Sequence, residues 1–367
     1  MNPLSPMQAM QMAIEEGKKG VGFVSPNPLV GCVILDRGGN FLSSGFHAQL
    51  GGDHAEAAAL NKISGNKNLD GARVYVTLEP CAHQGRTPSC AKALAELPIA
   101  SVTYGLSDPN PKVAGQGAEI LRKAGKNAEI FKGLQDELEE LAEIFLLNMR
   151  KNRPFVALKI ASSLDGKIAL EDGTSQWITG PEAREQVGFL RGNYDAVLTG
   201  VGTILKDNPR MNSRAEMFAA KPQRLVILDP NGSCLTRLES LNISKVRRAQ
   251  DIFVVTKPGA VQDFKSATII ESPLKGEHFN LENVLSRLTS EGIHSIFVEA
   301  GGQTSSAFLQ SGLMDRIFIF MAPKILGAGL SWTSGLKIPS LDKPLRLEKP
   351  RLSQVGQDLL LTARSQT

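Results

Sequence analysis

The sequence contains no run of about 20 apolar residues, the length that a membrane-spanning helix needs. Only four of its 367 residues are cysteines, too few to hold a chain of this length together with disulfides. Glu15 and Glu16 lie where a signal peptide would carry its apolar stretch. These absences argue against membrane insertion and export, and we expect a cytoplasmic protein.

A concentrated basic surface is also absent. Lys and Arg number 41 against 37 Asp and Glu, a small excess that suits an anionic small molecule better than a nucleic acid. The one dense basic cluster, Lys245-Val246-Arg247-Arg248, has no interleaved aromatic residues, so we interpret it as a solvent-exposed surface segment. We expect a small-molecule substrate, no nucleic-acid or membrane partner, and at most association with further copies of the same chain.

A chain of 367 residues, 42% of them hydrophobic, is long enough for two domains with separate cores. Apolar residues at helical spacing predict a helix over 135–149, which Pro154 follows as a helix-breaking residue. We therefore expect domains at 1–148 and 152–367. Strand-like and helical patterns alternate in both, which predicts α/β folds. The predicted strands are 30–35, 73–78, 155–161, 195–201, 224–228, 252–256, 296–299 and 316–321, and the predicted helices are 56–62, 90–97, 116–124, 181–191 and 281–290.

The first domain carries a pattern typical of a catalytic zinc site. His54, Cys81 and Cys90 are ligand types that suit tetrahedral zinc, and three protein ligands leave a fourth position for water. Any one of them alone is more often a packed core residue. The joint pattern H-x-E, P-C and a second cysteine favours a zinc-dependent deaminase.

Glu56 lies two residues after His54 and would point away from it in the middle of a helix. At a helix N-terminus both side chains can reach a metal beyond the helix end, and Asp53 is a candidate N-cap for such a helix. We interpret Glu56 as the residue that moves the proton of water without binding the metal. The eight residues between the cysteines must loop out, so that Cys90 opens the next helix.

Other polar residues are less informative. Cys32 lies in an apolar run and is most simply core, and Cys234 has no partner in the sequence. For Asn27, His47 and His83, substrate contact and an ordinary turn or loop position are equally good interpretations. In the second domain, glycines at 200, 202, 301 and 302 each lie between a predicted strand and helix, which is weak evidence for a nucleotide phosphate site.

Several runs resemble the bifunctional pyrimidine deaminase/reductase family of riboflavin biosynthesis. In the first domain these are residues 26–28, 30–33, 54–56, 76–81, 85–88 and 108–111; in the second they are residues 159–167, 175–180, 298–302 and 322–327. The similarity spans nearly the whole chain in the family's order. It implies a cytidine-deaminase-like domain that binds one zinc ion, followed by a dihydrofolate-reductase-like domain that uses NADPH.

The resemblance also implies contacts in the second domain. NADPH contacts would fall on Ala161, Trp177, Thr203, Asp207, Gly301, Gly302, Gln303, Thr304, Ser305, Ser306 and Ala307. Substrate contacts would fall on Ser175, Arg191, Met211, Arg214 and Glu299. Arg191 either binds the substrate phosphate or only lies at the end of the helix that begins at Pro181. The role of Lys159 stays open, as does the proton donor of the reduction.

These observations predict two consecutive reactions. The first domain would hydrolyse the 2-amino group of 2,5-diamino-6-ribosylamino-4(3H)-pyrimidinone 5′-phosphate, and the second would reduce the ribosyl chain to ribityl with NADPH. One alternative is a nucleic-acid base deaminase with an RNA-binding second half, which strongly salt-dependent RNA binding would support. Another is an interaction protein held together by zinc, which a fourth protein ligand would support.

Overall fold

The computed structural model describes residues 3–63, 69–82, 89–109, 114–262 and 264–366. Within those ranges no helix has the length and apolar character to cross a membrane. The chain forms two compact units, Met1–Asn152 and Arg153–Thr367. Both mix helices with a central sheet, as the sequence predicts.

The first unit is built on a five-stranded sheet in the order β2-β1-β3-β4-β5. Strand β1 pairs antiparallel with β2 and β3, and β3, β4 and β5 run parallel. The strands are β1 Gly31–Leu35, β2 Phe41–Phe46, β3 Arg73–Leu78, β4 Ser101–Leu106 and β5 Asn127–Ile130.

Helices cover both faces of this sheet. They are α1 Pro6–Lys18, α2 Ala55–Asn61, α3 Cys90–Ala95, α4 Gln116–Lys123, α5 Gln135–Leu141 and α6 Glu143–Lys151. The single helix predicted over 135–149 is therefore wrong, because Ala142 leaves the helical conformation and separates α5 from α6. Alanine has the highest helix propensity, so nothing in the local sequence marks this break.

Alternate residues of the strands enter two different hydrophobic clusters. Cys32 and Ile34 pack in one, and Val33 and Leu35 pack in the other. Cys32 is fully buried, which confirms its interpretation as a core residue. Gly45 in β2 allows the close approach of α2, since a Cβ atom there would lie 2.3 Å from the Ala59 nitrogen.

The second unit contains a nine-stranded sheet in the order β11-β10-β9-β8-β14-β6-β15-β18-β17. The first seven strands in that order run parallel, and β18 and β17 continue the sheet antiparallel. Its strands are β6 Phe155–Ser163, β8 Ala196–Gly200, β9 Arg224–Leu228, β10 Ile252–Thr256, β11 Thr268–Glu271, β14 Ser295–Val298, β15 Arg316–Ala322, β17 Leu347–Val355 and β18 Asp358–Ser365.

Two small ladders, four α-helices and three short 3-10 helices make up the rest of this unit in the part of the chain that the structure describes. The ladders pair β7 Lys167–Ala169 with β16 Leu330–Ser331, and β12 Leu274–Lys275 with β13 His278–Phe279. The helices are α7 Pro181–Asn193, α8 Val201–Asp207, α9 Leu281–Ser290 and α10 Gly302–Gln310. Cys234 is fully buried in one of the two hydrophobic clusters of this unit.

The boundary between the units falls between residues 152 and 153, whereas the sequence predicts domains that end at 148 and begin at 152. Helix α6 continues to Lys151, so a first domain that ended at 148 would lose the last turn of this helix. Arg153 makes a bidentate ion pair with Asp315 and so belongs to the second unit. We therefore propose domain limits of 1–152 and 153–367.

We predict that fragments 1–152 and 153–367 fold separately, because each unit contains its own sheet and buried clusters. Circular dichroism should show a cooperative thermal transition for each fragment. Both tryptophans, Trp177 and Trp332, lie in the second unit, so its fluorescence should change on unfolding whether or not the first unit is attached. Aggregation of both fragments under conditions that keep the full chain in solution would contradict the prediction.

Candidate active sites

Three predicted zinc ligands lie together in the first unit. The Nδ1 atom of His54 is 3.5 Å from the Cys81 sulfur and 3.3 Å from the Cys90 sulfur. Among the described residues, these three are the group of histidine, cysteine and acidic side chains whose ligand atoms all lie within 4.8 Å of one another. Their chemistry and spacing suit one tetrahedral zinc ion with an open fourth position.

The cysteines are positioned by the end of β3 and the start of α3. The Ser89 hydroxyl caps α3 by accepting from the Lys92 amide, and it also donates to the Cys81 carbonyl at 2.7 Å. The Cys90 amide donates to the Cys81 sulfur at 3.3 Å. A hydrogen bond from the Cys90 thiol, followed by the one from His54, lowers the pKa of Cys81 to about 4. The site therefore stabilises a thiolate, the form that binds a metal.

Helix α2 begins at the third ligand. Its N-cap is His54 and not Asp53; the Asp53 carboxylate instead accepts from the Asn61 amide at 3.0 Å. The predicted cap was one residue too early because the Asp53 side chain is held by a more distant partner. Glu56 lies in the first turn of α2 and is 4% exposed, and burial raises its pKa to about 6. The predicted arrangement at a helix N-terminus is thus confirmed with a shifted cap.

Two residues of uncertain role in the sequence border this cluster. The His47 Nδ1–H donates to the Asp53 carbonyl at 2.9 Å, which leaves Nε2 to accept from the Asn27 amide at 3.1 Å. The His47 ring lies edge-on to that of His54, with centroids 5.6 Å apart. Burial lowers the pKa of His47 and so favours its neutral form. Asn27 and His47 therefore support the segment that carries His54, whereas His83 lies outside the described residues.

Sequence reasoning assigned no role to Glu79, two residues before Cys81. Its buried carboxylate accepts from the backbone amides of Asp108, Gly115 and Ala118 at 3.0–3.3 Å. Glu79 thereby anchors the segment after β4 next to the cysteine. These partners are 29–39 residues away in sequence, so no local pattern could indicate them.

In the second unit, most of the residues implied by the resemblance lie near one edge of the large sheet. Strands β8, β14 and β6 are parallel neighbours, so their carboxyl ends meet at that edge, where α/β sheets bind ligands. Thr203 and Asp207 lie on α8, directly after β8. Glu299 directly follows β14, and residues 301–307 form the start of α10 with its N-cap. Lys159 and Ala161 lie in β6.

A close approach of backbone shapes the start of α10. A Cβ atom on Gly302 would lie 2.7 Å from the Ser331 carbonyl oxygen and 2.2 Å from the Ser334 hydroxyl. The Ser306 hydroxyl donates to the Ser334 carbonyl at 3.0 Å. Packing therefore requires a glycine at position 302, independently of any ligand that the loop binds.

A buried charge cluster lies at this edge. The Arg191 guanidinium donates to both Glu299 oxygens at 2.5 and 3.0 Å, and the Lys159 ammonium is 3.5 Å from the same carboxylate. Although burial opposes it, the charge of Arg191 and then of Lys159 lowers the pKa of Glu299 to about 2. Burial lowers the pKa of Lys159 while Glu299 opposes the change. Sequence reasoning left Lys159 without a role because its partner is 140 residues away.

Arg191 lies in the last turn of α7, as predicted, but it does not act there as a helix cap. Its remaining hydrogen bond goes to the Asn212 carbonyl at 3.1 Å. The carbonyls at the helix end, those of Gly192 and Tyr194, accept instead from Lys221. The guanidinium group of Arg191 donates instead to Glu299. Neither of the two interpretations from the sequence included this ion pair.

The loop after α8 is held by a residue from the basic cluster. Arg247 donates to the backbone carbonyls of Gln223, Arg210 and Met211. Met211 is buried and has a left-handed backbone with φ of 53°. The interpretation of residues 245–248 as solvent-exposed is thus correct for Lys245 and Arg248. It is wrong for Arg247, which is half-buried because its guanidinium group donates to three backbone carbonyls.

Trp177 is 64% exposed and is fixed from two sides. The Arg184 guanidinium lies 4.7 Å from the centre of its ring. The Lys324 ammonium donates to the Trp177 and Ile178 carbonyls at 3.1 and 2.7 Å. Ser175 is in the same connection before α7 and is half-buried. An exposed aromatic ring with a fixed backbone is suited to binding a planar group.

We predict that Arg191→Ala lowers the free energy of unfolding of the second unit by about 3 kcal/mol. Removal of one partner from a buried ion pair leaves the other charge poorly compensated, which costs ~3–5 kcal/mol; the low end applies because Lys159 remains beside Glu299. Urea denaturation followed by tryptophan fluorescence measures this unit alone. Arg153→Ala, which breaks a similarly buried pair with Asp315, is the matched control for the loss of a buried ion pair in this unit and should also lower the free energy of unfolding. An Arg191 variant as stable as the wild type would show that the ion pair contributes nothing to folding.

Comparison with known proteins agrees with the geometry of both units. Residues 5–106 match the family model of the cytidine and deoxycytidylate deaminase zinc-binding region, and residues 154–361 match that of the RibD C-terminal domain. The riboflavin biosynthesis protein RibD of Aquifex aeolicus is 38% identical over 96% of both chains. That of Escherichia coli is 36% identical over 96% of this chain and 97% of its own.

Solved structures give the same result. The RibD structure of Acinetobacter baumannii superposes with a TM-score of 0.84 at 34% identity, covering 99% of both chains. A diaminohydroxyphosphoribosylaminopyrimidine deaminase/5-amino-6-(5-phosphoribosylamino)uracil reductase from Thermotoga maritima also has a TM-score of 0.84, at 36% identity over 98% of both chains. The predicted fold classes of the two domains are confirmed. The chain belongs to the RibD family of bifunctional deaminase/reductases of riboflavin biosynthesis, and its first unit matches the zinc-binding region of deaminases.

Proposed function

We propose that the first unit hydrolyses the 2-amino group of 2,5-diamino-6-ribosylamino-4(3H)-pyrimidinone 5′-phosphate and that the second reduces the ribosyl chain of the product. The observation that carries the proposal is the convergence of His54, Cys81 and Cys90 beside the buried Glu56. The substrate is a small phosphorylated pyrimidine, and we keep a cytoplasmic location as a prediction. The test is incubation with this pyrimidine phosphate, with and without NADPH, and identification of the products by mass.

In the deamination, His54, Cys81 and Cys90 would hold zinc, which when bound polarises a water molecule and lowers its pKa towards ~7. The carboxylate of Glu56 accepts a proton from the attacking water. It delivers that proton to the ring nitrogen of the pyrimidine, then takes the remaining proton of the added hydroxyl group and passes it to the departing amine, which leaves as ammonia. Because Glu56 is buried and no ion pair holds it among the described residues, its carboxyl can both accept and release a proton.

We predict that Glu56→Gln retains about one zinc per chain but loses deamination by roughly 10²–10⁴-fold, the usual contribution of general acid–base catalysis. Metal content is measured by atomic absorption and ammonia release by a coupled assay. Cys81→Ser is the matched control, because the loss of a ligand should remove both zinc and activity. If Glu56→Gln also lost its zinc, Glu56 would be a ligand and its proposed role would be wrong.

In the reduction, we propose that NADPH, which supplies the hydride, binds along the edge formed by β6, β8 and β14. Its contacts would be Ala161, Trp177, Thr203, Asp207, Gly301, Gly302, Gln303, Thr304, Ser305, Ser306 and Ala307. Ser175, Arg191, Met211, Arg214 and Glu299 would contact the substrate. The engagement of Arg191 by Glu299 leaves only its outer N–H groups for substrate, so its main effect is to orient the carboxylate.

We propose Lys159 as the proton donor of this step. Hydride addition to C1′ of the opened ribose requires one proton on the neighbouring substrate nitrogen. Lys159 lies in β6, two residues before Ala161, and the buried Glu299 carboxylate holds its ammonium group. Burial lowers the pKa of Lys159 from its usual value, which makes proton release easier.

We predict that Lys159→Arg lowers kcat of the reduction by roughly 10²–10⁴-fold, because arginine keeps the charge beside Glu299 but does not release a proton. NADPH absorbance measures the reduction and fluorescence titration measures NADPH affinity, which should change little. Deamination by the same variant is the internal control. Unchanged kcat in Lys159→Arg would eliminate Lys159 as the donor.

A further inference from the structure

Helix α4 begins against a side chain that belongs to another element. Its N-cap is Gly115, which has a left-handed backbone with φ of 79° and no side chain to accept from the first amides of the helix. Glu79, which directly follows β3, accepts from the amides of Gly115 at 3.0 Å and Ala118 at 3.2 Å. A third amide, that of Asp108, donates to the same carboxylate at 3.3 Å. The Glu79 carboxylate therefore takes the place of a local cap, and the positive end of the helix dipole stabilises its charge.

The backbone next to Glu79 is held as well. The Glu79 amide donates to the carbonyl of Leu106, at the end of β4, at 2.8 Å. A Cβ atom on Gly117 would lie 2.0 Å from the Pro80 carbonyl oxygen, so the first turn of α4 packs directly on that carbonyl. The ring of Pro80 also fixes its φ. The segment that leads into Cys81 is thus held by β4 and α4 together.

Cys81 depends on such support more than the other two predicted zinc ligands do. His54 is the N-cap of α2 and Cys90 is the first residue of α3, so a helix fixes the backbone of each. Cys81 lies in neither a helix nor a strand. On its following side it is bound to the start of α3 by the Ser89 hydroxyl and the Cys90 amide. Glu79 supplies the support on its preceding side.

The three amides occupy both oxygens of a buried carboxylate. Oε2 accepts from Asp108 and Gly115, and Oε1 accepts from Ala118. Glu79 is 5% exposed, so water cannot replace an acceptor that is lost there. A neutral side chain of the same shape therefore cannot satisfy all three donors.

From these contacts we infer that Glu79 is a positioning residue of the zinc site. It fixes the segment before Cys81 on α4 and so holds the Cys81 sulfur where tetrahedral coordination needs it. Groups that orient metal ligands without touching the metal typically contribute roughly 10–100-fold to metal affinity or activity. The inference rests on the proposed function of the first unit, because it concerns the same zinc site.

The test is Glu79→Gln in the full chain. Glutamine keeps the size of the side chain and one acceptor oxygen, but its NH2 group would face an amide from which it cannot accept. We expect the dissociation constant for zinc, measured by competition with a chromophoric chelator, to rise by about tenfold or more. In the cobalt-loaded variant the d–d absorption bands should shift and the thiolate-to-cobalt charge-transfer band should weaken, because the Cys81 sulfur is displaced.

Thr77→Val is the matched control. Thr77 lies on β3, is 2% exposed and accepts from the Gly31 amide at 3.2 Å. Its replacement removes a buried acceptor of a backbone amide but leaves the contacts of Glu79 in place. A purely structural role for Glu79 predicts that both variants lower the melting temperature and bind zinc alike. The inference predicts that Thr77→Val keeps the zinc affinity and the cobalt spectrum of the wild type while Glu79→Gln does not.

Hydrogen exchange of the wild type gives a test that needs no variant. Coupling between two sites is reciprocal. If Glu79 supports the zinc ligands, zinc must also protect the amides that Glu79 binds. Removal of zinc should therefore speed exchange of the Gly115 and Ala118 amides by about tenfold more than exchange of the Gly31 amide.

Wild-type zinc affinity and a wild-type cobalt spectrum in Glu79→Gln would overturn the inference, as would equal effects in Thr77→Val. If Glu79→Gln does not fold, the exchange measurement decides, and an equal change at Gly31, Gly115 and Ala118 would overturn the inference. None of these results depends on the pyrimidine substrate, so they leave the proposed deamination intact. A wild type that binds no zinc would instead overturn the proposed function and the inference with it.

Discussion

The free-energy cost of removing a carboxylate from water determines how a buried glutamate behaves in each of the two candidate centres. Glu56 and Glu299 are each less than 10% exposed, but their surroundings differ. Glu56 has no cation in an ion pair with it among the described residues, and burial raises its pKa to about 6. Glu299 faces Arg191 and Lys159, whose charges lower its pKa to about 2. Environment thus gives one carboxyl an exchangeable proton and keeps the other ionised.

This difference fits the two chemistries. Deamination needs a group that takes up a proton and releases it again, and the buried Glu56, which no cation holds in an ion pair among the described residues, suits that role. The reductase centre needs a fixed negative charge that holds a cation next to the substrate. Glu299 meets that need because it remains ionised, and in the proposed reduction it would hold Lys159 in position as the proton donor.

The sequence was most informative where the chemistry is local. His54 and Glu56 are two residues apart, and Cys81 follows directly after a strand, so the first centre could be recognised without a structure. The cap at Asp53 and the continuous helix over 135–149 were wrong for opposite reasons. A side-chain bond to Asn61 holds Asp53, whereas Ala142 breaks a helix without any local signal.

Long-range pairs were beyond sequence reasoning. Arg191 and Glu299 are 108 residues apart, and Lys324 and Trp177 are 147 residues apart. Composition cannot indicate such pairs, because a lysine or arginine satisfied by a distant carbonyl looks the same in sequence as one exposed to solvent. Residues 245–248 illustrate this. Lys245 and Arg248 are exposed, whereas Arg247, which lies between them in the sequence and donates to carbonyls of the loop after α8, is half-buried.

Arg247 also explains how the loop after α8 keeps its shape. The loop leaves the helix through Asn208, which is left-handed with φ of 41°, and reaches Met211 with φ of 53°. Such conformations are unfavourable for residues other than glycine and persist only where surrounding contacts hold them. Asn242 bonds to the side chain and the carbonyl of Asn208, and Arg247 bonds to the carbonyls of Arg210 and Met211. The segment between Asp207 and Asn212 is therefore held by Asn242 and by the half-buried Arg247, two residues that lie more than 30 positions further along the chain.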